Sequence, residues 1–258
     1  MSNNLKQKIP KRSFSGSVGA IIQARMGSER LPGKSLMEVD GKPILQHIVE
    51  SLKISKKLSA IILATSDQKE DVSLLELAKK LGINGFAGNA NDVLARYTEA
   101  AKKFKLDVVV RVTGDNVLTD VDGMDKTIEL YLQGKPDLAT NGGKQGYPLG
   151  TGVEVLSTGL LQDLIKTVDS TVEREHVTLH VYRQQKKYRI LYLKAPSQYR
   201  DLDVRLTIDT PDDLSLIRLL YGKLKEREEG FELPFVAKYL KRHQELKKIN
   251  SHIKQRTF

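Results

Sequence analysis

The segment Ala24–Lys34, ARMGSERLPGK, brings Arg25, Arg30 and Lys34 together with Gly27, Ser28 and Gly33. Three cations and two glycines in one short stretch offer an anion both positive side chains and closely approachable backbone N–H groups, which suits a triphosphate. The plain alternative is a solvated basic turn. The spacing matches neither the G-x-x-x-x-G-K-[ST] phosphate loop nor the G-x-G-x-x-G dinucleotide turn, so P-loop hydrolysis and nicotinamide redox chemistry are set aside. Farther along, Asp115 follows the apolar run Val108–Val112 and Asp209 follows Val204–Ile208. Two carboxylates at strand ends suit a hard divalent cation such as Mg²⁺, which takes one or two carboxylates and fills its shell with phosphate oxygens and water. Taken singly, Asp209 reads as a helix cap and Asp115 as a turn residue.

Two further segments carry candidate ligand groups. In Gly88–Tyr97, GNANDVLARY, Asp92 stands at a helix start with Arg96 four residues on. An intrahelical ion pair is the plain reading; the functional one sets the loop Gly88–Asn91 beside a nucleobase. In Glu173-Arg174-Glu175-His176, a helix-borne Arg and His, with Glu154 upstream, suit a carboxylated or hydroxylated second substrate. A solvated helix face is the alternative there.

Such groups need a scaffold that delivers strand ends and helix starts to one edge. Apolar runs at Val18–Gln23, Ala60–Ala64, Ile83–Phe86 and Val108–Val112 alternate with helical patterns at Pro43–Ile54, Glu70–Leu81, Asp92–Phe104 and near Met124–Leu132. Alternation of this kind predicts an α/β fold, a mostly parallel central sheet flanked by helices, with ligands at the C-terminal ends of the strands. After Pro136 the winding loosens, and Gly142, Gly143, Gly146, Gly150 and Gly152 mark a loop over the site. Beyond it the pattern predicts a strand over Gly152–Leu156, helices over Thr158–Val168 and Glu173–Tyr182, and strands over Tyr188–Leu193 and Val204–Ile208. A helix over Pro211–Tyr221 follows, opened by Asp209-Thr210-Pro211. Pro234 to Lys248 reads as an amphipathic helix able to pack on the body or on a partner.

The chain has 258 residues, with 42 Lys+Arg against 32 Asp+Glu, a formal charge of +10. That balance suggests nucleic acid or an anionic surface until the charge is located. Residues 1–17 hold Lys6, Lys8, Lys11 and Arg12 and no acid, and residues 222–258 hold ten basic and five acidic side chains, which leaves 18–221 at +1. The expected organisation is a mobile basic arm (1–17), one catalytic domain (18–221) and a basic helical tail (222–258). A nucleic-acid-binding module acting through the basic termini is the competing class, but nucleic acid is not the expected partner of a near-neutral body. The absence of Cys excludes disulfides, zinc-thiolate and iron–sulfur sites and a thiol nucleophile. No apolar run approaches the ~20 residues that cross a bilayer, and no apolar signal segment follows the basic N-terminus. The expected location is the cytoplasm, with no membrane partner.

Read in order, IIQARMGSERLPGK (Ile21–Lys34), GKPILQHIVE (Gly41–Glu50), GNANDVLARY, VRVTGDN (Val110–Asn116), EREHVT (Glu173–Thr178) and LTIDTPDDL (Leu206–Leu214) carry a family resemblance. The chain resembles the cytidylyltransferases that make CMP-activated sugar acids, the acylneuraminate and 3-deoxy-manno-octulosonate group, and within it the spore coat polysaccharide branch. The resemblance implies a Rossmann-like nucleotide-diphospho-sugar transferase fold. It implies CTP held by Ala24, Arg25, Met26, Gly27, Ser28, Arg30 and Lys34 together with Gly88, Asp92, Arg96 and Asp115. It further implies Mg²⁺ on Asp115 and Asp209, a catalytic set of Arg25, Lys34, Asp115 and Asp209, a sugar faced by Glu154, Arg174 and His176, and a homodimer. The implied reaction transfers CMP from CTP to a sugar acid of nonulosonic or 3-deoxy-octulosonate type with release of pyrophosphate, in surface polysaccharide or glycan biosynthesis. A glycosyltransferase using a preformed sugar nucleotide is the alternative among enzymes. Glu29 stands where the family often has Thr, Val117 where Pro is frequent, and the basic arm and tail are additions.

Overall fold

The first strand, β1 (Val18–Gln23), is apolar on both faces, as a strand covered by helices on either side has to be. A computed structural model describes it and the rest of residues 14–143, 145–200, 202–224 and 233–255. The arm expected over 1–17 falls mostly on residues 1–13, which lie outside the described residues, as do 225–232 and 256–258 of the basic tail. After β1 and its loop, a small hairpin, β2 (Glu38–Val39) and β3 (Lys42–Pro43), leads into α1 (Ile44–Leu52). Regular winding follows: β4 (Ala60–Ser66), α2 (Val72–Lys80), β5 (Asn84–Gly88), α3 (Val93–Lys103), β6 (Val108–Thr113) and α4 (Val121–Gly134). The second part holds β7 (Leu138–Thr140), β8 (Glu154–Ser157), α5 (Thr158–Thr167), α6 (Thr171–Glu175), α7 (Leu179–Arg183), β9 (Ile190–Tyr192), α8 (Pro211–Leu224) and α9 (Leu233–Arg242).

The sheet order is β5-β4-β1-β6-β8-β7-β9, and every pairing is parallel except those of β8. The chain winds outward from β1 through β4 to β5, then returns to pair β6 on the other side of β1. That reversal opens a crevice beyond the C-terminal ends of β1 and β6, where α/β folds bind ligands. Alternate strand residues enter two cores. Ala20, Ile22, Val110 and Val112 pack with α1, α4, α8 and α9, whereas Ile21, Ile62 and Val109 pack with α3, α5 and α7. On α1 alone Ile44, Leu45, Ile48, Val49 and Leu52 are fully buried, each contributing about 1.5–3 kcal/mol by its removal from water.

The expected α/β class and mostly parallel sheet are observed, with local differences, one being that the tail helix expected over Pro234 to Lys248 ends at Arg242 and gives way to a 3-10 turn over Gln244–Ile249. The strand β7 was not anticipated in its short apolar stretch after Pro136. Because β7 ends at the upper edge and the Gly-rich loop stays there, β8 starts at that edge and runs antiparallel, which sets Glu154 opposite both Arg111 and Thr140. The expected strand Val204–Ile208 does not join the sheet; within it only Arg205 forms a bridge, to Leu149. Its residues are all buried, so the apolar run signals an extended segment pressed across the strand ends, tied by Leu206 N–H to the Leu149 carbonyl (2.8 Å) and by Ile208 N–H to the Asp115 carbonyl (3.0 Å). Finally, the single helix expected over Glu173–Tyr182 is broken into α6 and α7 at buried Val177, whose φ is +51°.

Gly150 makes the close approach of the 204–208 segment possible. Its φ is +94°, and a Cβ there would lie 2.3 Å from Thr207 N and 2.5 Å from the Leu206 carbonyl carbon. Gly150→Ala therefore combines backbone strain with a main-chain clash. It should lower stability by at least about 2 kcal/mol, measured by urea denaturation; a loss within about 0.5 kcal/mol, the range of a neutral surface change, would show that this packing is looser than described.

Candidate active site

The loop after β1 is shaped by its own backbone and by one buried acid. Gly33, at φ +71°, donates its N–H to the Met26 carbonyl (2.8 Å), closing the loop and turning Lys34 back over the strand ends. Asp71, 1 % exposed, accepts from Met26 N–H (2.7 Å) through one oxygen and from Thr65 Oγ1 (2.8 Å), Ser66 N–H (3.0 Å) and Ser66 Oγ (2.5 Å) through the other. Burial by itself raises the Asp71 pKa, but the hydrogen bonds from Ser66, Met26 and Thr65 outweigh it and hold the carboxyl below the usual carboxylate range. Asp71 leaves no signal in the sequence, because an acid in the short turn after β4 belongs to no motif.

From this loop Lys34 Nζ reaches Asp115 Oδ2 (3.1 Å), Asp209 Oδ1 (2.9 Å) and the Ile208 carbonyl (2.7 Å). Arg30 lies 2.9 Å from Asp209 Oδ2, which Arg205 also contacts. Burial works against the charged form of Lys34, yet the Asp115 and Asp209 carboxylates win and hold its pKa above the ordinary lysine value. Burial likewise raises Asp209, but Lys34, Arg30 and Arg205 together hold it below the carboxylate range. Behind it, buried Asp213 accepts from Arg205 Nε (3.0 Å) with one oxygen and from the backbone N–H groups of Asp209 and Thr210 (3.0 Å each) with the other. Thr210 Oγ1 accepts in return from Asp213 N–H (3.3 Å), a reciprocal cap at the start of α8. Thus Arg30, Lys34, Asp115 and Asp209, expected around a nucleotide and its metal, are brought into mutual contact.

Arg25 stands at the rim, 3.6 Å from Glu175 of α6 and about half exposed. Met26, Gly27 and Ser28 line the same loop, and apart from its chain neighbours no described atom lies within 4 Å of the place a Gly27 Cβ would take. Ala24, buried, hydrogen-bonds to the Ala64 carbonyl. Asp92 and Arg96 do not pair with each other. Asp92 caps α3 by accepting from Ala95 N–H (2.9 Å) and pairs with Arg174 through Nε (2.9 Å) and Nη2 (2.5 Å). Arg174 spends its remaining nitrogen on the Ile165 and Val168 carbonyls, so it clasps α3, α5 and α6 together. Arg96 is 1 % exposed, its Nη1 held by the Asn89 carbonyl (3.0 Å), while its Nε and Nη2 have no protein partner. Gly88, at the end of β5, leaves the space the Arg96 Cγ occupies.

On the other flank Glu154 pairs with Arg111 (2.7 Å) and accepts from Thr178 Oγ1 (2.9 Å). Tyr182 lies beside it, its phenol pKa driven up by burial and by the Glu154 charge. His176 stands next to Thr178; burial holds its imidazole below the ordinary histidine value, with Glu175 opposing and Arg111 adding to the shift. Arg111 and Arg205 were missed although each leaves a trace in the sequence: a cation interrupting a buried apolar run demands a carboxylate partner. Val117, in the place of a frequent Pro, is 1 % exposed and packs in the core.

A cytidylyltransferase family model matches residues 19–242. The chain belongs to the cytidylyltransferase family. It is 36% identical over 240 residues to an uncharacterized protein of Methanocaldococcus jannaschii, covering 92% of this chain and 96% of that one. To the spore coat polysaccharide biosynthesis protein SpsF of Bacillus subtilis it is 35% identical over 215 residues, 81% and 88% of the two chains. A shorter match, 32% over 151 residues, reaches the 3-deoxy-manno-octulosonate cytidylyltransferase of Trichlorobacter lovleyi, covering 58% of this chain and 56% of that one. The solved structure of a cytidylyltransferase from Leptospira borgpetersenii superposes with a TM-score of 0.84 at 31% identity, covering 94% of this chain and 99% of that one. This cytidylyltransferase therefore has the Rossmann-like fold of its relatives, and among the described residues no helix is long and apolar enough to cross a membrane.

The depressed Asp71 pKa fixes the sign of a pH effect. Its charged hydrogen bonds add stability above the unfolded-state value of about 4 and are lost as the pH falls through the lower folded value. Asp71→Asn should cost about 1–3 kcal/mol at neutral pH and flatten the fall of stability below pH ~4. Denaturation curves at both pH values test it, and an unchanged acid slope would remove Asp71 as the anchor of the loop.

Proposed function

We propose that this cytidylyltransferase transfers CMP from CTP to a sugar acid, releasing pyrophosphate, with Mg²⁺ held by Asp115 and Asp209. The observation that carries the reading is the convergence of Lys34 and Arg30 with those two carboxylates at the crevice where the winding reverses. Cations alone would suit a triphosphate and carboxylates alone a metal. A metal–triphosphate presents both signs, so each protein charge that now neutralises its neighbour exchanges for a matching group of the ligand. The donor set fits Mg²⁺: two carboxylates that share one ammonium, with phosphate oxygens and water to supply the remaining positions once the ligand arrives. Among the described residues there is no cluster of three or more His, Cys, Asp or Glu, which a hard cation shared with phosphates does not need.

In the proposed transfer a sugar hydroxyl oxygen bonds to the α-phosphorus as the bond to the α–β bridging oxygen breaks in line, and the hydroxyl proton is released. Bound Mg²⁺ would neutralise charge developing on the phosphate oxygens. Lys34 and Arg30 hold the phosphates and Arg25 closes the rim, while Arg96, buried behind the loop after β5, adds its charge from within. Work of this kind is positioning and charge neutralisation, and no nucleophilic side chain is required. Glu154 and His176 stand on the flank left for the sugar acid, while Arg174 holds that flank in place through Asp92. The acceptor class and the biosynthetic setting are supported by the relatives named for 3-deoxy-manno-octulosonate and for spore coat polysaccharide.

A thermal-shift panel of CTP, UTP, ATP and GTP with Mg²⁺ tests the nucleotide. CTP at 100 times its Kd should add about 2.7 kcal/mol to the native state, the others less, and a flat response to all of them would sink the proposal. For the site itself, Lys34→Ala should weaken CTP binding by about 1.5–3 kcal/mol, the worth of a charged hydrogen bond. Calorimetry giving the unsubstituted affinity would take Lys34 out of the phosphate site.

A further inference from the structure

The family match ends at Arg242, but the chain beyond it returns to the charged centre. A 3-10 turn over Gln244–Ile249 sets Leu246 and Ile249 against the core. Asn250, 1 % exposed, then donates from Nδ2 to the Arg205 carbonyl (2.9 Å) and to Asp213 Oδ1 (2.9 Å). His252 Nε2 lies 3.2 Å from Asp212 Oδ2 in the first turn of α8, and Gln255 Oε1 accepts from Arg205 Nη1. Two of the residues so gripped hold Asp209: Arg205 contacts its carboxylate, and Asp213 binds its backbone N–H.

We infer that residues 243–255 form a strap that positions Asp209, through Arg205 and Asp213, to receive the nucleotide and its divalent cation, with Asn250 and Gln255 as its positioning residues. The inference rests on the reading of the site as one for CTP and Mg²⁺, and adds the groups that set its geometry. A planar guanidinium is fixed when its edges are all engaged. Arg205 meets Asp213 through Nε, Asp209 through Nη2 and Gln255 through Nη1, so the tail supplies the third point that orients the plane. Asn250 spends both amide donors on the two residues of the same clamp, so its donors rather than its buried Oδ1, which has no partner among the described residues, fix its position. Hydrogen-bond partners one step behind a metal-binding carboxylate set affinity or activity by about 10- to 100-fold.

Full-length chains carrying Gln255→Leu, Gln255→Glu or Asn250→Ala can be compared with the unsubstituted chain. CTP is titrated calorimetrically at a series of Mg²⁺ concentrations, and amide hydrogen exchange is followed at Asp209 and Thr210, whose N–H groups are bound by Asp213. Gln255 is exposed, so Gln255→Leu keeps the fold and decides the matter if Asn250→Ala does not fold. Gln255→Leu and Asn250→Ala, one step farther back, should raise the half-saturating Mg²⁺ concentration severalfold, short of the about 10-fold that loss of a direct partner costs, and speed exchange at both amides, whereas Gln255→Glu, which keeps an acceptor for Arg205, should match the unsubstituted chain. Unchanged Mg²⁺ dependence and exchange in Gln255→Leu would overturn the strap. Should the unsubstituted chain bind no CTP, the nucleotide reading falls by itself; exchange then decides the strap, faster exchange in Gln255→Leu supporting it and unchanged exchange overturning it.

Discussion

One ammonium group, Lys34 Nζ, meets Asp115, Asp209 and the Ile208 carbonyl, and the arrangement of the crevice depends on that meeting. Asp115 belongs to the loop after β6, and Ile208 and Asp209 to the segment that lies across the strand ends. Their like charges keep apart without a cation between them. Lys34 is turned toward both by the closed loop after β1, whose position is set in turn by Asp71 and by Gly33. Arg30, Lys34, Arg205, Asp115, Asp209 and Asp213 are therefore linked one to the next.

Such a lattice is a costly way to gain stability. Each ion drawn partly out of water carries a desolvation penalty of several kcal/mol, and mutual attraction returns about as much as it costs. What the lattice does supply is placement, with Arg30, Lys34 and Arg205 set against Asp115, Asp209 and Asp213 at defined positions before any ligand arrives. Preorganised charge of this sort is the larger part of what a phosphoryl-transfer site needs from its protein. The stability of the domain comes instead from the two apolar cores on either side of the sheet.

The alternation of buried runs and amphipathic helices up to α4 was legible because each strand there is a short, uninterrupted apolar stretch and each helix has its own period. The loop after β1 and the acids after β6 and before α8 were equally legible, since their residue types are unusual for ordinary turns. Legibility falls where burial and hydrogen bonding part company. Val204–Ile208 has the composition of a strand but forms a single bridge, because burial by α8, α9 and the Gly-rich loop writes the same apolar run as a sheet does. Val177 breaks a continuous helical pattern, and no local preference anticipates a β-branched residue at positive φ. The pair Asp92–Arg96 has ideal spacing for an ion pair, yet Asp92 turns to Arg174, 82 residues away, because α6 packs against α3.

By itself, then, the amino-acid sequence determined the α/β class and most of the charged groups that gather at the C-terminal strand ends, since these follow from periodicity and from residue types at strand ends. It also located the excess positive charge in the termini and left the body near neutral. Only the tertiary structure decided which charge meets which: that Lys34 lies between Asp115 and Asp209, that Arg205 and Asp213 stand behind Asp209, and that Asn250 and Gln255 return from a basic tail to hold them. Side-chain pairing across long separations depends on how elements pack, and packing is settled by the whole apolar core at once. Local patterns record what each element buries and leave its neighbours unnamed.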